Sequence, residues 1–134
     1  MIDIENELFT FLYKAINTKY PETFITSDYV DAPSKFPHVS IVVDDNQVYR
    51  RTQSTDSQEN HALYFYIIEC YSNKVNGSKS ECKKIMSEID TQMANIGFTR
   101  LSFQSIPNLS DRRIYRMRAV YRGLVSKNKT IYRG

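Results

Sequence analysis

One continuous run, Glu59 to Arg100, constrains the fold of this chain more than any other. It reads as a strand over His61–Tyr71, a polar turn over Ser72–Gly77, an amphipathic helix over Ser78–Ile96, a stop at Gly97 and a new strand from Phe98. Side chains of a strand alternate between faces. Here Leu63, Phe65, Ile67 and Tyr71 fall on one face, and Ala62, Tyr64, Tyr66, Ile68 and Cys70 on the other. A strand that is apolar on both faces is covered on both. Helices supply one cover; a second sheet or another subunit must supply the other, and in 134 residues the subunit is the more attractive. In the helix, Cys82, Ile85, Met86, Ile89, Met93 and Ile96 recur at the spacing of a single face. Ser78 with Glu81 has the pattern of a capping box, and Gly97 that of a C-terminal stop.

The rest of the chain fits around that unit. Ile4, Leu8, Phe11, Leu12, Ala15 and Ile16 predict a helix over residues 2–19, with Asp3 as N-cap and Tyr20-Pro21 as terminator. Phe24–Tyr29 reads as a short extended piece and Asp31–Pro37 as a loop. His38–Val43 is a strand, Asp44–Asn46 a turn, and Val48–Gln53 the second arm of a hairpin. Gln53–Asn60 is polar and aperiodic, so a mobile arm is expected around residues 44–60. Strands follow at Phe98–Ser105 and Arg112–Val125, with a short last one at Thr130–Arg133. The expectation is one α+β domain over residues 1–134, a mainly antiparallel sheet of about four to five strands packed against two helices.

Composition excludes more than it selects. Hydrophobic residues make up 41% and charged ones 25%, as in ordinary globular domains. No apolar run approaches the roughly 18 residues of a membrane span. The acidic start, MIDIENELFTF, lacks the basic n-region of a signal peptide, which points to folding in a cytoplasm. Two cysteines, Cys70 and Cys82, lie inside periodic segments and read as buried, reduced small hydrophobes. Neither His38 nor His61 has a second ligand at metal-binding spacing, and four glycines form no phosphate loop. Asp44-Asp45 reads as turn chemistry rather than an acid/base pair. No catalytic, metal or cofactor site is expected, and the chain does not read as an enzyme.

What remains are surfaces. All 15 acidic residues lie at or before Asp111, and Arg112, Arg113, Arg116, Arg118, Arg122, Lys127, Lys129 and Arg133 follow with no acid among them. Such polarity favours a negative partner or channel at one end, unless it is neutralised internally or across a subunit boundary. Strand parity puts Arg116, Arg118 and Arg122 on one face as a guanidinium stripe. It suits phosphate or an acidic protein; the plainer alternative is a solvated face paired with acids such as Glu69. Tyr49, Arg50 and Arg51 mark the arm as either an ordinary loop or a segment that orders on a partner.

The order of elements, the Glu59–Ala62 entry to the long strand, Tyr71-Ser72-Asn73 at its end, the Gly97-Phe98 helix exit and the Arg-Tyr alternation at 112–122 resemble the tail terminator proteins of long-tailed bacteriophages. These are also described as tail completion, head-tail joining or minor capsid proteins. The resemblance covers most of the chain from about Phe36 onward, with the N-terminal helix also in place. It implies a homohexameric ring that caps the finished tail tube, stops its polymerisation and docks to the head connector, with genomic DNA passing nonspecifically through the lumen. It also implies assembly in the host cytoplasm, residence at the tail-head junction of the virion, and no membrane partner. On that reading Arg116, Arg118 and Arg122 line the lumen or a charged ring contact. Tyr49, Arg50 and Arg51 dock to the tube or another partner, and Tyr64, Tyr66 and Ile68 lie at the subunit interface. Another phage neck or tail-tube protein of similar fold, or a small nucleic-acid-binding module, is the alternative.

Overall fold

The computed structural model describes residues 1–28, 33–48, 61–107 and 113–132. Its elements are α1 (Glu5–Lys19), β1 (Phe24–Thr26), β2 (His38–Val48), β3 (His61–Ser72), α2 (Ser78–Asn95), β4 (Thr99–Ser105), β5 (Tyr115–Ser126) and β6 (Ile131–Tyr132). The sheet runs in the order β1-β2-β3-β5-β4, with β6 paired to the end of β5. The β1–β2 pair is parallel and all others are antiparallel. The fold is the expected α+β arrangement of two helices on a mostly antiparallel sheet.

Both helices lie on one face of the sheet. Leu8, Leu12 and Ile16 of α1 and Cys82, Ile85, Met86, Ile89 and Met93 of α2 meet Ala62, Tyr64, Tyr66, Ile68 and Cys70 of β3 in a single core. Each helix follows its apolar period, because only that stripe can be removed from water. Gly97, at φ +100°, makes the left-handed turn that ends α2, and Phe98 N–H reaches back to the Met93 carbonyl at 2.9 Å. Phe98 packs edge-on to Tyr66 and fills the space above Gly123, where a Cβ would come within 2.7 Å of its ring.

Both helix starts depart from expectation. Ile4, not Asp3, occupies the N-cap of α1; Asp3 Oδ1 instead accepts the Glu5 N–H at 2.9 Å from one residue further out. The capping box at α2 does not form. Gly77 is the N-cap without a side-chain bond, and Glu81 is drawn away to accept a 2.6 Å bond from the Ser72 hydroxyl. The predicted turn at Asp44–Asn46 is also overturned. β2 continues to Val48, absorbing Asp44 as an extra residue where the register shifts between Val43 and Asp45. The shift leaves Asn46 facing the helices, where its amide bonds the Ile2 carbonyl and the Tyr64 hydroxyl, each at 3.0 Å. Residues 44–48 of the expected arm are therefore strand, and the remainder of the arm lies outside the described residues.

Candidate functional site

The register across the sheet lays out the face opposite the helices row by row. His38, Tyr71 and Arg116 are neighbours on adjacent strands; so are Ser40, Glu69, Arg118 and Gln104. Next come Val42, Ile67, Val120 and Ser102, then Asp45, Phe65, Arg122 and Thr99, and finally Gln47, Leu63 and Leu124. Among the described residues no helix packs here. The apolar members Val42, Leu63, Phe65, Ile67, Val120 and Leu124 are half-buried rather than sealed.

Strand parity does gather Arg116, Arg118 and Arg122 on this face, but they are not equivalent. Glu69 is fully buried, and its Oε2 takes Nε and Nη2 of Arg116 at 2.6 and 2.5 Å. Arg118 Nε stands 3.5 Å from the same oxygen, at ion-pair distance but without hydrogen-bond geometry. The Arg116 guanidinium also lies over the Tyr71 ring, 5.4 Å from its centroid. Two of the three arginines thus neutralise a buried carboxylate, which would otherwise cost several kcal/mol to hold in the sheet. Among the described residues Arg122 has no carboxylate within ion-pair distance, and its Nε has no hydrogen-bond partner. The free positive charge of the stripe is concentrated at Arg122. A triple reversal to glutamate would therefore test folding, not function, because Arg116→Glu would set a second carboxylate against Glu69.

The assignment of Tyr64, Tyr66 and Ile68 to a subunit interface is corrected by their position. They are 1%, 1% and 0% exposed beneath the helices of their own chain. The strand face left available to a partner is the opposite one, Leu63, Phe65 and Ile67. β3 also cannot extend the sheet into a neighbouring subunit: β2 pairs along one edge and β5 along the other, over nearly its whole length. The strands at the ends of the sheet order are β1 and β4, and β4 carries two exposed apolar residues, Leu101 and Phe103. Tyr49, Arg50 and Arg51, the expected docking residues, lie outside the described residues.

His38 is buried between the Phe24 and Tyr71 rings, with Nε2 3.0 Å from the Thr26 hydroxyl. Burial pulls its pKa below the ordinary histidine value. Cys70 and Cys82 are both buried; a hydrogen bond that the Cys70 thiol gives to Cys82, together with burial, pushes that thiol well above its usual range, the opposite of a reactive thiolate. Among the described residues, no three His, Cys, Asp or Glu side chains gather as a metal-binding set. No described helix is long and apolar enough to cross a membrane.

A second surface was missed in the sequence. An open groove of about 750 Å³ runs beside the end of α1 and along α2 as far as Thr91, lined by Lys19, Lys79, Lys83, Lys84 and Glu88 together with Ser80, Ser87 and Thr91. The signal was the run SKSECKK at a helix start, where cations oppose the helix dipole and acids are the ordinary choice. Compared with known proteins, the chain matches no protein-family model, and no curated protein matches it in sequence.

Proposed function

We propose that this chain is a structural component of a phage particle, a tail terminator whose ring caps the tail tube and joins it to the head. The observation that carries the reading is the second face of the sheet. Val42, Leu63, Phe65, Ile67, Val120 and Leu124 form an apolar field, edged by Arg122, that no described helix covers. A half-buried apolar field with a charged margin suits contact with another protein. Burial of both cysteines and of His38 keeps the obvious reactive groups from solvent, which fits a protein that works by contact. The resemblance in element order and in the 112–122 Arg-Tyr alternation supplies the family.

In this reading subunits contact one another through the open face and the β4 edge, not through the paired edges of β3. Arg122 contributes positive charge toward the DNA path or a ring contact. The mechanism is steric. A ring seated on the last layer of tube subunits occupies the surface that the next layer would use, and presents a new face to the head connector. Light scattering of the purified protein, with and without isolated tail tubes, tests this. The expected result is a discrete hexamer, or a monomer that becomes a discrete cap on tube ends. Open-ended polymers would instead indicate a tube protein, and a monomer indifferent to tubes a nucleic-acid-binding module.

A further inference from the structure

Opposite charges gather beside the two ends of α1, acids at its start and α2 lysines beside its end. At its start, Asp3, Glu5 and Glu7 are exposed, and the Ile2 carbonyl is bonded to Asn46, which brings the exposed Asp44 and Asp45 of the β2 bulge to the same corner. Of these five carboxylates only Glu7 has an ammonium partner in the described structure, Lys129. At the far end lies the lysine groove. Among the described residues its one lining carboxylate is Glu88, held below the usual carboxylate range by the Gln92 amide and by Lys19, whose ammonium is 3.0 Å away. Lys79, Lys83 and Lys84 are exposed and have no acid within ion-pair distance among the described residues.

A helix of 15 residues is roughly 20 Å long at 1.5 Å per residue. That exceeds the Debye length of about 8 Å at physiological salt, so the two patches do little to neutralise each other within one molecule. They are complementary in sign and similar in number; the acidic one lies at the start of α1, and the basic one is built by α2 beside the end of α1.

We propose that the groove receives the acidic corner of a second copy of this chain, with Lys79, Lys83 and Lys84 of one subunit facing Asp3, Glu5 and Asp45 of the next. The contact is head to tail. Each copy uses both ends, so repetition gives a closed ring or an open filament rather than a two-fold dimer. The inference rests on the assembly reading above and names a contact for it.

Sedimentation of the full chain at rising salt tests it. Self-association should weaken roughly tenfold or more between low and high salt, as expected for a contact made by exposed charges. Lys79→Glu with Lys83→Glu and Lys84→Glu should abolish it, and so should Asp3→Lys with Glu5→Lys and Asp45→Lys. Mixing the two variants should restore association, because one then carries two acidic ends and the other two basic ends. Circular dichroism checks folding, and Lys→Gln and Asp→Asn or Glu→Gln versions replace any variant that misfolds. A wild-type chain that stays monomeric at low salt overturns the inference, as does association that neither set disturbs. Loss of duplex DNA binding in the lysine variant, with self-association intact, also overturns it, in favour of a polyanion. Discrete caps on tail tubes that form regardless of charge reversal would sink this contact while leaving the terminator reading in place. Charge-dependent filaments that ignore tubes would do the reverse.

Discussion

Tyr64 and Tyr66 stand on the same face of β3, stacked with ring centroids 6.0 Å apart and equally buried. Their hydroxyls differ. Tyr64 donates to the Ile2 carbonyl at 2.8 Å and accepts from Asn46 at 3.0 Å and from the Ile4 N–H at 3.2 Å, pinning the N-terminal segment to the sheet. The Tyr66 hydroxyl has no hydrogen-bond partner among the described residues. Tyr64→Phe should therefore cost about 1–3 kcal/mol by leaving buried donors unpaired, whereas Tyr66→Phe should be neutral or stabilise by up to about 1 kcal/mol; urea denaturation separates the two. His38 gives a second residue-scale expectation. Its folded pKa lies below that of the unfolded chain, so the unfolded state binds more protons in between. Stability should be complete above the ordinary histidine pKa of about 6.5 and fall as the pH drops through it toward the folded value. His38→Gln, which keeps a polar contact with Thr26 but cannot titrate, should flatten that part of the stability–pH curve. Parity in the sequence placed these residues on a face. It could not say which hydroxyl finds a partner, because the partners come from residues about 20 and 60 positions away.

At the scale of elements, the long periodic segments were legible and the irregular ones were not. α2, its glycine stop, β3 and β5 follow from periods of 3.6 and 2 sustained over several turns or pairs. Asp44-Asp-Asn46 carries ordinary turn residues, yet the chain passes through them as a bulged strand. Ladder pairing with β3 on both sides of Asp44, together with Asn46's bonds to Ile2 and Tyr64, outweighs the local preference. The α2 capping box failed for a similar reason, since Ser72 at the end of β3 reaches the Glu81 carboxylate first. Gly123 carries the prediction at this scale. It is a β5 residue whose absent side chain admits the Phe98 ring from the α2–β4 junction, with a Cβ at 2.7 Å from two ring atoms. Gly123→Ala should force that ring off Tyr66 and destabilise the protein by about 1–3 kcal/mol, despite alanine's better fit to a strand backbone. Thermal unfolding reads the loss; restoration by Gly123→Ala with Phe98→Leu would show that the conflict is steric.

For the whole molecule, the sequence indicated that β3 is covered twice, and the structure supplies one cover, the helices. The other face became readable only once the register aligned β2, β3, β5 and β4, since its rows join residues from four separate segments. The arginine stripe likewise divided only when Glu69 appeared between two of its members. That division sets apart two substitutions on one face. Glu69→Ala removes the carboxylate shared by Arg116 and Arg118 and leaves two guanidinium groups beside a buried site, so it should destabilise by about 3–5 kcal/mol. Arg122→Gln removes a charge and a buried Nε that have no partner among the described residues, so its stability should stay within about 1 kcal/mol of the parent. If this face works by contact, Arg122→Gln should nonetheless impair tube capping or DNA passage in particles that incorporate it, scored as tails without heads or as particles that fail to deliver DNA. Normal infectivity from a folded Arg122→Gln chain would remove the arginine stripe from the mechanism and leave the apolar field to carry assembly alone. A chain that unfolds on losing Arg122 would instead give that side chain a structural part like that of Arg116.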